Sequence, residues 1–274
     1  MEAFIRKSAV AGSWYPGSPE KLRRDVHTFL EDAALPQLTG KPVAVVSPHA
    51  GYMYSGPVAG YAYKTVQGQS YKRVVVLSPS HRASFPFLSI WAKGGYETPL
   101  GFLEVDEEFC ALLMAASERI QENHQPHLAE HALEIQLPFL QVALGTFKLC
   151  PLIMGQQQIN LCRELGSVLA RCIKDPQETL VVASSDLSHF HHSAKATVMD
   201  STIAKCIEAF DIQGLNQALE SGAGEACGGG PIISAMVYAQ AIGRTTAKIL
   251  KYANSGDVTG ERTSVVGYLA AAIF

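Results

Sequence analysis

Short uninterrupted runs of β-branched and other apolar residues recur along the chain, separated by stretches of helical period. The runs predict strands at 43–46, 74–77, 87–91, 147–153, 180–184, 249–252 and 265–271, because a strand buried on both faces needs no polar alternation. Apolar positions three and four apart predict helices at 57–65, 106–116, 133–144, 161–173, 199–209 and 231–242. Ser18 is placed to cap a further helix from Pro19. The pieces ETPLG (97–101) and SGDVTGERTS (255–264) are turn-rich and predict surface loops. Strands alternating with helices define an α/β fold with a central, largely parallel sheet flanked by helices. No repeat, low-complexity block or linker divides the sequence, so residues 1–274 are expected to form a single domain.

The predicted strand ends carry unusual chemistry. The run 43–46 leads into SPHAGYMYSG and the run 74–77 into SPSHRASFPF, so two buried strands each end in Ser-Pro and a histidine, His49 and His81. A third, TLVVASS, ends in Asp186-Leu-Ser-His189. In open parallel sheets the ligand site lies beyond the carboxyl ends of the strands. Imidazole is the commonest metal-binding side chain and acid/base group near neutral pH, so this edge reads as a metal or catalytic site. Asp186 and His189 stand three apart, and a carboxylate bonded to His189 would raise its basicity. His189 is therefore expected to do acid/base work, with Asp186 orienting it or making a weak metal contact.

Two histidines need a third ligand, and Cys227 in EACGGGPIISAM is the best candidate. Glycines 228–230 allow close backbone approach, and the helix start near Pro231 would favour thiolate over thiol. A His/His/Cys set suits iron or copper, and also zinc, while a site poor in carboxylates rarely holds magnesium or calcium. The stretch HLAEHALEIQLPFL adds His131 and Glu134, three apart and so on one helix face, near His127. The HxxE spacing is common by chance, and His131 and Glu134 read as pocket-wall or supporting residues. Tyr52 and Tyr54, close behind His49, could line the pocket. Trp14 and Tyr15 read first as a packed N-terminal segment and second as a ligand contact. His191 and His192 read as solvated, and His27 and His124 carry no pattern.

Composition narrows the class. The net charge of −3 gives no reason to expect nucleic acid or an anionic membrane as partner. Apolar runs such as 180–183 are far too short to cross a bilayer, which needs about 20 residues. The first residues lack the apolar core of a secretory signal. Six cysteines, without CxxC spacing, read as reduced thiols of a cytoplasmic protein.

The segments AGSWYPG, PHAGYMYSG, SPSH, EHALEIQLPFL, ASSDLSH and CGGGPI stand in the order found in the MEMO family, whose prokaryotic members are often labelled AmmeMemoRadiSam system protein B. The chain resembles that family from residue 11 to about 233. The family is similar in fold to class III extradiol dioxygenases, whose non-haem iron is held by two histidines and a glutamate. The resemblance implies an α/β domain with a metal pocket at His49, His81 and Cys227, beside Asp186 and His189. A cysteine in place of the carboxylate changes charge and softness at the metal, so catechol cleavage does not follow from the fold. Two functions are implied: oxidation-type chemistry at a mononuclear iron or copper centre, or a module that captures a peptide or small ligand in the retained pocket. The family also suggests a radical-SAM protein and an AMMECR-type protein as partners.

Overall fold

The computed structural model describes residues 4–38 and 40–274. Its strands are β1 (Ile5–Arg6), β2 (Ala44–Ser47), β3 (Arg73–Pro79), β4 (Leu88–Ile90), β5 (Gly95–Thr98), β6 (Gly101–Glu104), β7 (Ile120–Glu122), β8 (Lys148–Met154), β9 (Thr179–Ser184), β10 (His189–His191), β11 (Ala247–Asn254) and β12 (Val265–Ile273). The helices are α1 (Pro19–Asp32), α2 (Tyr52–Lys64), α3 (Glu107–Ala116), α4 (Gln125–Leu128), α5 (His131–Glu134), α6 (Gln136–Leu144), α7 (Ile159–Cys172), α8 (Ser193–Glu208), α9 (Ile212–Ser221), α10 (Gly229–Ala241) and α11 (Gly256–Thr259).

One nine-stranded sheet runs β7-β4-β8-β3-β9-β2-β12, with β11 on the outer side of β12 and β10 at the start of β12. The centre is parallel: β8, β3, β9 and β2 share a direction and are in tight register, with Cys150, Val75, Val181 and Ala44 in one row. Both flanks turn antiparallel, β4 against β8 and β12 against β2. Helices α1, α2 and α6 pack together on one side of the sheet, and α7 with α10 on the other. The central strands are therefore covered twice, and Val43–Val46, Val74–Leu77 and Leu180–Ala183 are wholly buried, which explains their lack of alternation. Helix α1 buries Leu22, Val26 and Leu30, one per turn, and Ser18 caps it by accepting the Lys21 N–H. It lies so close to α2 that a Cβ on Gly60 would stand 2.3 Å from the Phe29 carbonyl oxygen.

The seven predicted strands are present, as are the six predicted helices, with shifted ends. The helix expected at 57–65 begins at Tyr52, carrying Pro57 inside it on an exposed position. The one expected at 133–144 is broken at Ile135. Pro138 has no N–H to give to the Glu134 carbonyl, so the ladder cannot run through. Of the loop expected at 97–101 only Pro99 and Leu100 form a turn: Glu97 and Thr98 end β5 and Gly101 opens β6, and β5 pairs with both β6 and β1 in a small separate sheet. The loop expected at 255–264 holds the one-turn α11.

Candidate metal centre

Each of the four parallel strands ends at the same edge and sends out a functional side chain two or three residues later. His49 follows β2, His81 follows β3, Asp186 follows β9 and Gln157 follows β8. Because the strands are in register, these positions lie side by side. Helix α5 crosses near the end of β3 and brings in His131. The loop before α10 supplies Cys227. Ligand atoms of His49, His81 and His131 all lie within 4.8 Å of one another. The Cys227 Sγ stands 3.1 Å from His49 Nε2.

The hydrogen bonds assign the tautomers. Ser184 Oγ donates its one proton to the Ala132 carbonyl at 2.7 Å and accepts from Gln136 Nε2 at 2.7 Å. His49 Nδ1, 2.8 Å from the same oxygen, must therefore be the donor, which leaves its Nε2 lone pair free. Glu130 does the same for His81. Its buried carboxylate accepts the His81 amide at 2.6 Å and Nδ1–H at 2.9 Å, so Nε2 is the ring nitrogen of His81 left for a metal. Burial pushes the Glu130 carboxyl up, but the bonds from His81 and Ala132 outweigh it and hold the group below the ordinary range. Burial and the neighbouring imidazoles drive His49 well below the usual histidine value. His131 falls to about 4, mainly through burial. Its Nδ1 lies 3.3 Å from Glu130 Oε1 but is not aligned for a bond, leaving a buried nitrogen without a hydrogen-bond partner.

Imidazoles whose Nδ1 is engaged and whose Nε2 is left over, a buried His131 nitrogen without a hydrogen-bond partner and a sulfur 3.1 Å from His49 Nε2 are what a transition metal requires. The donor set fits such an ion. Cys227 differs from expectation in one respect. Burial, reinforced by the Asp186 charge, pushes its thiol up, outweighing the hydrogen bonds from Asp186, Ser185 and Gly228. Without a cation the pair is a neutral thiol donating to neutral His49, and only a bound metal would draw the proton off.

Asp186 does not orient His189. Its buried carboxylate accepts the His49 amide at 2.7 Å, tying the end of β9 to the end of β2. Burial raises it to about 7, with that amide pulling the other way. His189 is half-buried and held below its ordinary value by burial, and its amide donates to Glu225 at 3.3 Å. Together with Cys227 it lines a cleft of about 710 Å³ that also includes Gln157, Asn216 and Glu225. His191 is not simply solvated: its Nε2 bonds Glu225 at 2.9 Å, and Phe190 between the two histidines has φ 63°. His192 is exposed and caps α8.

The remaining expected residues serve packing. Glu134 is fully buried, pairs with buried Arg6 and accepts Ala9 N–H at 2.8 Å, Val10 N–H at 3.1 Å and Tyr15 O–H at 2.5 Å. It latches the N-terminal segment and faces no pocket of the metal cluster. That segment lays Trp14 on His131, ring centroids 4.3 Å apart, and His131 in turn stacks on His81 at 4.6 Å. Tyr52 is buried, its hydroxyl donating to Ile135 O at 2.8 Å. With Tyr54 and Trp14 it borders a second cleft of about 660 Å³. His127 spends both ring nitrogens, on Tyr96 and Ser89, and is no ligand. Sequence reasoning passed over Glu130, Ser184 and Gln157. Glu130 sits directly before His131, and an acid beside a candidate ligand was the available signal.

An α/β domain whose parallel strands end in a cluster of imidazoles is the class defined by fold and site. The comparisons with known proteins narrow it. Residues 6–272 match the family model described as Memo-like protein. The chain is 37% identical to a MEMO1 family protein of Sulfolobus acidocaldarius, over 97% of this chain and 98% of that one. It is 34% identical to one from Methanobrevibacter smithii, covering 99% and 100%, and 35% identical to one from Methanopyrus kandleri, covering 97% of each. The chain belongs to the Memo family.

Proposed function

We propose that the protein binds a mononuclear iron or copper ion through His49, His81 and Cys227, with His131 as a fourth donor beside them, and carries out oxidation-type chemistry on a small molecule. The observation that carries this reading is that Ser184 and Glu130 engage Nδ1 of His49 and His81, leaving Nε2 of each for an ion, with the Cys227 sulfur 3.1 Å from the His49 one. When bound, the ion would supply Lewis acidity and a redox couple beside the cleft that Cys227 and His189 line. The chain's own residues do the rest. Ser184 and Glu130 hold the imidazoles in the ligating tautomer, and Asp186 fixes the backbone at His49. His189, neutral and on the cleft wall, accepts a proton from a bound hydroxyl. The absence of a carboxylate at the centre leaves the substrate outside the catechol class open.

The test is anaerobic reconstitution with iron(II) or copper followed by elemental analysis. Near-stoichiometric metal in the native protein, lost in His49→Ala and His81→Ala, is expected. Cys227→Ser should retain weakened binding and lose sulfur-to-metal absorption. Less than a tenth of an equivalent in the native protein would end the proposal, on the order-of-magnitude affinity expected of such a donor set.

A second reading rests on the other cleft, where Trp14, Phe29, Met53 and Tyr54 form an apolar wall. There the protein would capture a peptide or small ligand without turnover. Robust oxygen consumption with any one substrate excludes it. Six cysteines without a disulfide are compatible with our placing the protein in the cytoplasm. A radical-SAM protein and an AMMECR-type protein are the proposed partners, tested by co-purification of tagged protein from its source cells.

A further inference from the structure

Three of the four parallel strand ends serve the cluster by giving a ligand or by holding one. The fourth, β8, ends in Gly155 and three glutamines. The middle one, Gln157, crosses to the Cys227 loop and grips it at both ends. Its Nε2 donates to the Cys227 carbonyl at 2.7 Å, and its Oε1 accepts the Gly230 N–H at 2.7 Å. One planar amide thus spans residues 227–230, the segment that carries the thiol and opens α10.

The opposite side of the loop is held by β9. The Cys227 N–H donates to Asp186 O at 3.2 Å and the Gly228 N–H to Ser185 Oγ at 2.9 Å. The Asp186 N–H approaches the Cys227 sulfur at 3.3 Å. The loop is pressed so tightly that a Cβ on Gly228 would stand 2.1 Å from Ser184 O, and one on Gly230 would stand 2.9 Å from Gln157 Cβ. The grip from the end of β9 combines the Asp186 carbonyl with the Ser185 hydroxyl. The Gln157 grip is a single side chain from the loop after β8, two strands away from β9, half-buried at the wall of the larger cleft.

We propose that Gln157 is a positioning residue: its side-chain amide clamps residues 227–230 and thereby sets the Cys227 sulfur against His49. The role in metal binding rests on the metal-centre reading above, while the clamp itself does not. Gln157→Ala removes both bonds. Gln157→Glu keeps an acceptor for Gly230 and turns an oxygen toward the Cys227 carbonyl, so it breaks one grip and leaves side-chain size unchanged.

Two measurements test the proposal. In metal-free protein, alkylation by iodoacetamide is followed for each cysteine by peptide mass spectrometry. Gln157→Ala should raise the rate at Cys227 about tenfold, the equivalent of one or two net hydrogen bonds, with Cys110 and Cys150 unchanged as internal controls for the fold. Gln157→Glu should show a smaller rise at the same residue. A Cys227 rate within about twofold of wild type, against that expected size, overturns the clamp. So does an equal rise at all buried cysteines, which reports general loosening. In cobalt(II)-loaded protein, Gln157→Ala should weaken binding about tenfold and diminish the sulfur-to-cobalt absorption band. An unchanged band with a raised alkylation rate overturns the metal role alone. Failure of wild type to take up cobalt would sink the metal-centre reading and leave the alkylation result standing.

Discussion

Arg6→Met should be among the most damaging single substitutions outside the cluster. The Arg6 side chain is 1% exposed and makes three buried bonds: with the Glu134 carboxylate, with His127 O at 2.9 Å and with Glu130 O at 2.7 Å. Methionine fills the same volume, so packing is nearly conserved, and the loss isolates the polar terms. It leaves a fully buried carboxylate without its cation, a change that costs about 3–5 kcal/mol, and two carbonyls with fewer partners. For a chain of this size the melting temperature should fall by about 10 °C. Thermal and urea unfolding of metal-free protein give the measurement. Arg6→Met combined with Glu134→Gln removes the stranded charge and should recover about half of the loss. A single-variant cost under about 1 kcal/mol, or a double variant worse than the sum of the singles, would show that the pair is solvated and the reasoning wrong.

Glu130→Gln takes away the carboxylate that holds His81 in its ligating tautomer and should weaken metal binding about tenfold, read by competition with a chelator; unchanged affinity would show that His81 needs no support. Burial raises the Asp186 carboxyl to about 7, so the folded protein keeps a proton that the unfolded chain loses near pH 4. That stabilisation is complete below about pH 4 and is lost as pH rises through about 7. Metal-free Asp186→Asn should therefore gain melting temperature relative to wild type across this window, and a constant difference from pH 4 to 8 would refute it. Gly228→Ala must displace the loop from Ser184 O and should cost about 1–3 kcal/mol, with reduced metal content in elemental analysis; full occupancy would show that the loop has slack.

The apolar runs announced the central strands because those strands are buried on both faces, and His49 and His81 were legible because loop residues at consecutive strand ends have few packing reasons to be imidazole. Five short strands escaped: β1, β5, β6, β7 and β10 have two to four residues each, and unlike 43–46 or 87–91 none lies in an apolar run. The Asp186 reading failed for a different reason. Spacing along the chain suggested His189 as partner, yet the carboxylate found the amide of His49 on the adjacent strand, a neighbour that only strand order reveals. Likewise His131 and Glu134 share a short helix but part company, one toward the cluster and one toward Arg6. Three-residue spacing cannot say which side of a four-residue helix faces what.

The contact between His49 and Cys227 joins positions 178 residues apart. An ion bonded to both would act as a staple across most of the polypeptide. By the loop-entropy relation used for disulfides, tethering a denatured chain over that span is worth about 5 kcal/mol. Loading and unloading such an ion would then reset how easily the whole domain comes apart, and a nascent chain would have no pocket to offer until nearly all of it had emerged.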